Sequence, residues 1–127
     1  MANANTDYLM NQKITIHDLP PGLNGKGGLK RMHHHQYAKI RDSWHYKILA
    51  EKPRKHKDGV RVVYTRHSVR RMDLDNVGAS FKVVGDALES TGVIKDDSPE
   101  ILTELVLRSK KVSKRKQQRI EIEIEDV

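Results

Sequence analysis

Residues 119–124 read Arg-Ile-Glu-Ile-Glu-Ile. Strict alternation of β-branched apolar and charged residues has the period of a strand, so this segment commits the chain to a sheet. Lys13-Ile14-Thr15-Ile16-His17 alternates in the same way and predicts a strand over about 12–17, while Val60–Arg66 and Glu100–Leu107 supply two more. Two segments between them keep a helical period instead. Tyr37, Ile40, Trp44 and Ile48 recur at intervals of three, four and four, one apolar stripe over about 32–51 that Pro53 closes. Val77, Phe81, Val84 and Leu88 form a second stripe, with Asp75 or Asn76 available as its cap and Gly92 as its stop. Gly78 and Gly85 weaken that helix by about 1 kcal/mol each. The order is β-α-β-α-β-β, an α+β fold with a small mixed four-stranded sheet packed with two helices. At 127 residues a single domain over 1–127 is expected. Residues 1–11 read as a loose polar terminus, Leu19–Gly25 as a loop, and Gly25–Arg31 as its flexible basic continuation. Lys110–Gln118 reads as a basic turn joining the last two strands into a terminal hairpin.

Charge is distributed unevenly along this chain. The formal net charge is +7 and the pI is near 9.7, which favours a nucleic acid or an anionic membrane as partner. Lys26–Arg71 holds fourteen bases and three acids, and Arg108–Arg119 holds seven bases and no acid. Between them, Asp73–Glu104 holds eight acids and two bases. Basic flanks of this kind hold a polyanion, and an acidic island between them suits the divalent cations that act on it. No apolar run approaches the roughly 20 residues of a membrane span. The first residues lack the apolar core of a signal peptide, and the absence of cysteine excludes disulfides and thiolate metal sites. A cytoplasmic protein is expected.

Within the island, Asp75, Ala79, Lys82 and Asp86 share one helix face opposite Phe81, Asp73 leads into the helix, and Asp96-Asp97 lie on the loop returning to the sheet. Hard cations take oxygen ligands, and Mg²⁺ binds through a few carboxylates while keeping water and phosphate oxygens. Such ions stabilise the attacking and leaving oxygens of a displacement at phosphorus, and a nearby lysine positions water or neutralises charge. Asp73 and Asp75 also suit an ordinary solvated helix N-terminus, and Asp96-Asp97 an ordinary turn. An EF-hand loop starting at Asp73 fails, because its fifth and twelfth positions are Val77 and Val84. His33-His34-His35 point in different directions on a helix and cannot chelate as a face. Tyr37 and Trp44 share a stripe with isoleucines and are expected in the core, and Asp86 in a structural pairing. Arg70-Arg71 and the run Lys110, Lys111, Lys114, Arg115 and Lys116 flank the acids and are expected to contact phosphates.

Arg71-Met-Asp73-Leu-Asp75-Asn76, then Lys82-Val-Val-Gly-Asp86-Ala-Leu, then Gly92-Val-Ile-Lys-Asp96-Asp97 together resemble the signature of RusA-type Holliday junction resolvases. Leu19-Pro20-Pro21-Gly22-Leu23-Asn24 is similar to that family's Pro-Pro-Ser-x-Asn, so the resemblance runs from about residue 12 onward. It implies a small dimeric endonuclease of bacterial or phage type, dependent on Mg²⁺ (or Mn²⁺), that nicks four-way and other branched DNA in recombination and repair. It implies Asp73, Asp75 and Asp97 as metal-binding catalytic carboxylates, Lys82 as the catalytic lysine, Asn76 as its usual neighbour and Asp96 as a lesser one. In one respect the chain departs from the pattern: five residues separate Asn76 from Lys82 where the family has two. In a continuous helix the excess advances Lys82 by about 300° and 4.5 Å. Alternatively Val77-Gly78-Ala79 loops out and Ser80 caps a shorter helix. If the altered spacing has cost the chemistry, the alternative is a DNA-binding protein that does not cleave.

Overall fold

The structure, a computed structural model, describes residues 11–22 and 28–127. Its elements in chain order are β1 (Asn11–Ile16), α1 (His34–Ala50), β2 (Val60–Ser68), α2 (Leu74–Ser90), β3 (Leu102–Lys111) and β4 (Arg119–Asp126). Short 3-10 turns occupy Leu29–Arg31 and Arg115–Gln117. The β-α-β-α-β-β order is the one that periodicity predicts. Three details differ. Asn11 belongs to β1, opposite Glu125, and is not part of a loose terminus, whereas residues 1–10 lie outside the described ones. Of the loop expected over 19–31, residues 23–27 lie outside the described ones and Leu29–Arg31 is one turn of helix. The last two strands do not form a hairpin.

That third difference concerns sheet topology. The strand order is β1-β4-β2-β3, so β4 runs antiparallel between β1 and β2, and β3 lies parallel to β2 on its far side. Parallel neighbours need a crossover, and α2 provides it. The isoleucines of β4 explain why that strand leaves β3 and inserts elsewhere. Ile120, Ile122 and Ile124 sit opposite Ile16, Ile14 and Gln12 on one side, and opposite Arg66, Tyr64 and Val62 on the other. All three are fully buried there.

The strand period sorts the two faces. Ile14, Ile16, Val60, Val62, Tyr64 and the three β4 isoleucines point to one face and form the core with both helices. The opposite face carries a cross-strand ion-pair lattice in which Glu121 accepts from Lys13 (3.3 Å) and His67 (2.7 Å), and Arg61 reaches Glu104 (2.9 Å). From α1 come buried Trp44 and Ile48, as the stripe predicts, with Tyr37 and Ile40 at its partly buried end. From α2 come Val77, Phe81, Val84 and Leu88, joined by Ser80, Val83 and Ala87. Ser80 survives there because its hydroxyl donates to the Val77 carbonyl (2.8 Å) and meets the Tyr64 hydroxyl (3.0 Å).

Each helix ends in a left-handed residue. Gly92, at φ +78°, donates to Glu89 O (2.9 Å), and Val93 donates to Leu88 O (2.9 Å), the paired bonds of a Schellman stop. The reversal buries Val93 and Ile94 and turns the chain back toward Asp96-Asp97. α1 ends instead on Lys52 at φ +51°, followed by Pro53.

Candidate active site

The entrance of α2 is built by three attachments. Ser68 Oγ donates to Arg70 O (2.6 Å), Val69 N–H donates to the Gln118 side chain (3.0 Å), and Ser109 Oγ on β3 donates to Met72 O. The Leu19–Gly22 loop closes over the same place. A Cβ on Gly22 would stand 2.9 Å from Met72 Cε, so the loop backbone packs directly on the Met72 side chain and a larger residue would have to push that methyl aside. These contacts fix Asp73, which occupies the N-cap position of α2 with extended backbone (φ −63°, ψ 151°). Capping therefore falls two residues before Asp75 and three before Asn76, because Leu74 already has helical geometry.

Asp73 makes no side-chain cap hydrogen bond, so the helix N–H groups do not consume its oxygens. Asp75 sits exposed in the first turn, where the helix dipole favours an anion. The helix runs without a break from Leu74 to Ser90. Val77-Gly78-Ala79 therefore does not loop out, and Ser80 is a buried helix-interior residue rather than a cap. Of the two alternatives for the three-residue excess, the continuous helix holds. Lys82 is exposed, two turns or about 10 Å beyond Asp75, with Nζ 5.6 Å from the centre of the Tyr37 ring.

The expected residues fall into two neighbourhoods. Asp73 and Asn76 border a cleft of about 580 Å³ with Arg66, Arg70, Arg71 and Gln118. Asp97 shares a smaller pocket of about 270 Å³ with Lys82 and Asp86, starting at Gly78, one turn beyond Asp75. Among the described residues, no three of the histidines, aspartates and glutamates come together as a ready-made metal-binding group. The donors at the entrance still suit a hard cation, which needs only one or two carboxylates and fills its shell with water and phosphate oxygens. Asp73 and Asp75 are such a pair.

Two acids have structural duties. Asp96 Oδ1 accepts from Ser98 N–H (2.8 Å), and its bonds to Ser98 hold its carboxyl below the usual range. Asp86 accepts a hydrogen bond from the Tyr37 hydroxyl, which links α1 to α2. Burial, then that bond, pushes the Tyr37 phenol well above its ordinary value. His33 begins α1, its N–H donating to Gln36 Oε1 (3.3 Å), the polar helix start expected of the histidine run.

The basic residues follow from topology. Parallel β2 and β3 end together, with Ser68 beside Lys111 and His67 beside Lys110. Arg70 and Arg71 follow β2, and the turn with Lys114, Arg115 and Lys116 follows β3. All seven therefore gather at the end of the sheet where α2 begins, and all are exposed.

Sequence reasoning missed Arg66. It is 7% exposed on the core-facing side of β2, and Nη1 donates to Pro20 O (2.5 Å) across 46 positions. The available signal was its phase, two residues after Tyr64 and four after Val62. An arginine in step with core residues is a buried cation.

The family model for endodeoxyribonuclease RusA matches residues 27–125, nearly all of α1, α2, β2, β3 and β4. The chain belongs to the RusA family. The RusA match begins after β1 and the Leu19–Gly22 loop. No curated protein matches the chain. RusA proteins are Holliday junction endonucleases, which gives the acids and arginines at the α2 entrance their chemical context. Among the described residues no helix is long and apolar enough to cross a membrane.

Proposed function

We propose that this RusA-family chain is a Mg²⁺-dependent endodeoxyribonuclease that resolves four-way DNA junctions by paired nicks, working as a homodimer in recombination and repair. One observation carries the reading: Asp73 and Asp75 are exposed at a helix start beside a cleft lined by three arginines, at the end of the sheet where the basic residues gather.

In this reading Arg70, Arg71 and the lysines Lys110, Lys111, Lys114 and Lys116, with Arg115, hold the phosphate backbone, giving shape-selective, salt-sensitive binding. Asp73 and Asp75 would hold the divalent ion (Mg²⁺, or Mn²⁺ in its place), with Asp97 joining from the returning loop. Bound there, the ion supplies Lewis-acid stabilisation of charge at the scissile phosphate and a more acidic water. Lys82, kept extended over the Tyr37 ring, presents its ammonium toward the leaving oxygen or the attacking water. Asn76 borders the cleft and orients substrate, while Asp86 and Asp96 hold the frame.

The test uses a labelled four-way junction with Mg²⁺, comparing the protein with Asp75→Asn, Asp97→Asn and Lys82→Met. The reading expects paired nicks from the parent, cleavage lost in Asp75→Asn, and binding retained in all. Binding by every protein with cleavage by none supports a DNA-binding protein without nuclease activity. Cleavage by Asp75→Asn at the parent's rate places the chemistry elsewhere.

A further inference from the structure

The exposed carboxylates and surface lysines have roles in the nuclease reading, but the buried cation beneath the α2 entrance has none. Arg66 Nη1 donates to Pro20 O and the guanidinium also meets the Tyr64 hydroxyl, but its Nε is buried without a hydrogen-bond partner among the described residues. Among the described residues no carboxylate is ion-paired with it, and burial lowers its pKa from the ordinary guanidinium value. A buried charge without a counterion costs several kcal/mol, and so does a buried donor left unpaired to a lesser degree. Alternating core positions of β2 are filled by Val60, Val62 and Tyr64, so an apolar side chain was compatible with this face. The cation instead lines a 580 Å³ cleft together with Arg70 and Arg71, against a single carboxylate, Asp73. Three guanidinium groups and one carboxylate select for an anion, and the planar Arg fork matches phosphate oxygens.

We infer that this cleft is a phosphate pocket, with Arg66 as its base, that seats the backbone phosphodiester neighbouring the one presented to Asp73 and Asp75. The inference rests on the nuclease reading for the source of the phosphate and on Arg66 for the pocket itself. Asp73 forms one wall, so the seated phosphate fixes the strand's register against the carboxylates. Arg66 is in that sense a positioning residue. The Pro20 carbonyl holds one end of the guanidinium, so the fork is oriented before DNA arrives and little freedom is lost on binding.

The test is an NMR titration of full-length protein labelled with ¹⁵N-arginine, in EDTA so that nothing is cut. The Arg66 Nε–H resonance is identified by its loss in Arg66→Lys. The probes are a four-way junction without 5′-phosphates, the same junction with them, and inorganic phosphate. The expected result is movement of the Arg66 Nε–H with either junction and, at higher concentration, with inorganic phosphate. Arg66→Gln, which removes the guanidinium charge, should weaken junction binding about tenfold and lower the slope of log K against log salt by about one. Should Arg66→Gln fail to fold, the parent's resonance decides alone. Junction binding with an unmoved Arg66 resonance overturns the pocket and leaves the nuclease reading standing. Movement with inorganic phosphate in a protein that binds no DNA overturns the nucleic-acid source, and the nuclease reading with it. A response only to the 5′-phosphorylated junction overturns the internal diester in favour of a strand end.

Discussion

Gly92→Ala tests how the chain delivers Asp97 to the flank of α2. Gly92 has φ +78°, and an added Cβ would meet nothing nearer than Lys55 Cε at 3.6 Å, an ordinary contact. The cost is therefore conformational and not steric. An L-residue in the left-handed region costs about 1–2 kcal/mol, and the lower entropy of an unfolded alanine returns about 0.5–1. The net is destabilisation of about 1 kcal/mol, or about 4 °C in Tm for a domain of this size. Lys52 allows the mirror experiment, because it holds φ +51° with a side chain already present. Lys52→Gly should stabilise by a similar amount, about 0.5–1 kcal/mol, with no change at the site. Thermal and urea unfolding of both variants measure the two effects, and junction cleavage by Gly92→Ala shows whether the turn still places Asp97. If Gly92→Ala is neutral, or Lys52→Gly destabilises, the left-handed residues are not what sets these two helix ends.

Three further outcomes follow from the core and the outer sheet face. Burial acts to raise the Glu121 carboxyl, but hydrogen bonds from His67 and Lys13 outweigh it and leave it below the usual range. A depressed folded pKa adds stability above the unfolded value of about 4.3, which is lost as pH falls through the folded value. Urea unfolding of Glu121→Gln from pH 6 to pH 2 should therefore show a shallower acid decline than the parent. Burial pushes Tyr64 up to about 12, so its contribution is present below about pH 10 and lost as pH rises toward 12. Tyr64→Phe should flatten that alkaline decline, read by chemical unfolding between pH 8 and 11. Tyr64 and Ser80 share a buried hydrogen bond of 3.0 Å, and a double-mutant cycle with Tyr64→Phe and Ser80→Ala should give a coupling of about 1 kcal/mol. A coupling near zero would mean the two hydroxyls are satisfied independently.

Local pattern accounts for much of this fold. The alternation of Ile120, Ile122 and Ile124 makes a strand wherever that segment lands, and the Trp44–Ile48 and Phe81–Val84–Leu88 spacings make helices. The same holds for the acids at the α2 start, since Asp73 and Asp75 precede an apolar stripe and carry the family's motif. These features depend on neighbours within a few positions, which the sequence displays directly.

Tertiary structure decided what depends on distant partners. Nothing local says that β4 pairs with β1 and β2 and leaves β3 on the far side. That choice buries the isoleucines between Ile14 and Tyr64, across long separations. Nor does local pattern separate the continuous α2 from a looped one, because Gly78 and Ser80 both disfavour a helix on propensity alone. Burial of Val77 and Ser80 against β2 overrides it. Asp97 comes to line the same pocket as Lys82 through the Gly92 reversal and the burial of Val93 and Ile94. Arg66 makes the distinction sharpest. Its phase in β2 says that it is buried, but only the Leu19–Gly22 loop folding over α2's entrance supplies the Pro20 carbonyl, while Nε finds no partner among the described residues. Period is a property of adjacent residues, whereas pairing and desolvation are properties of surfaces that meet only once the chain has closed on itself.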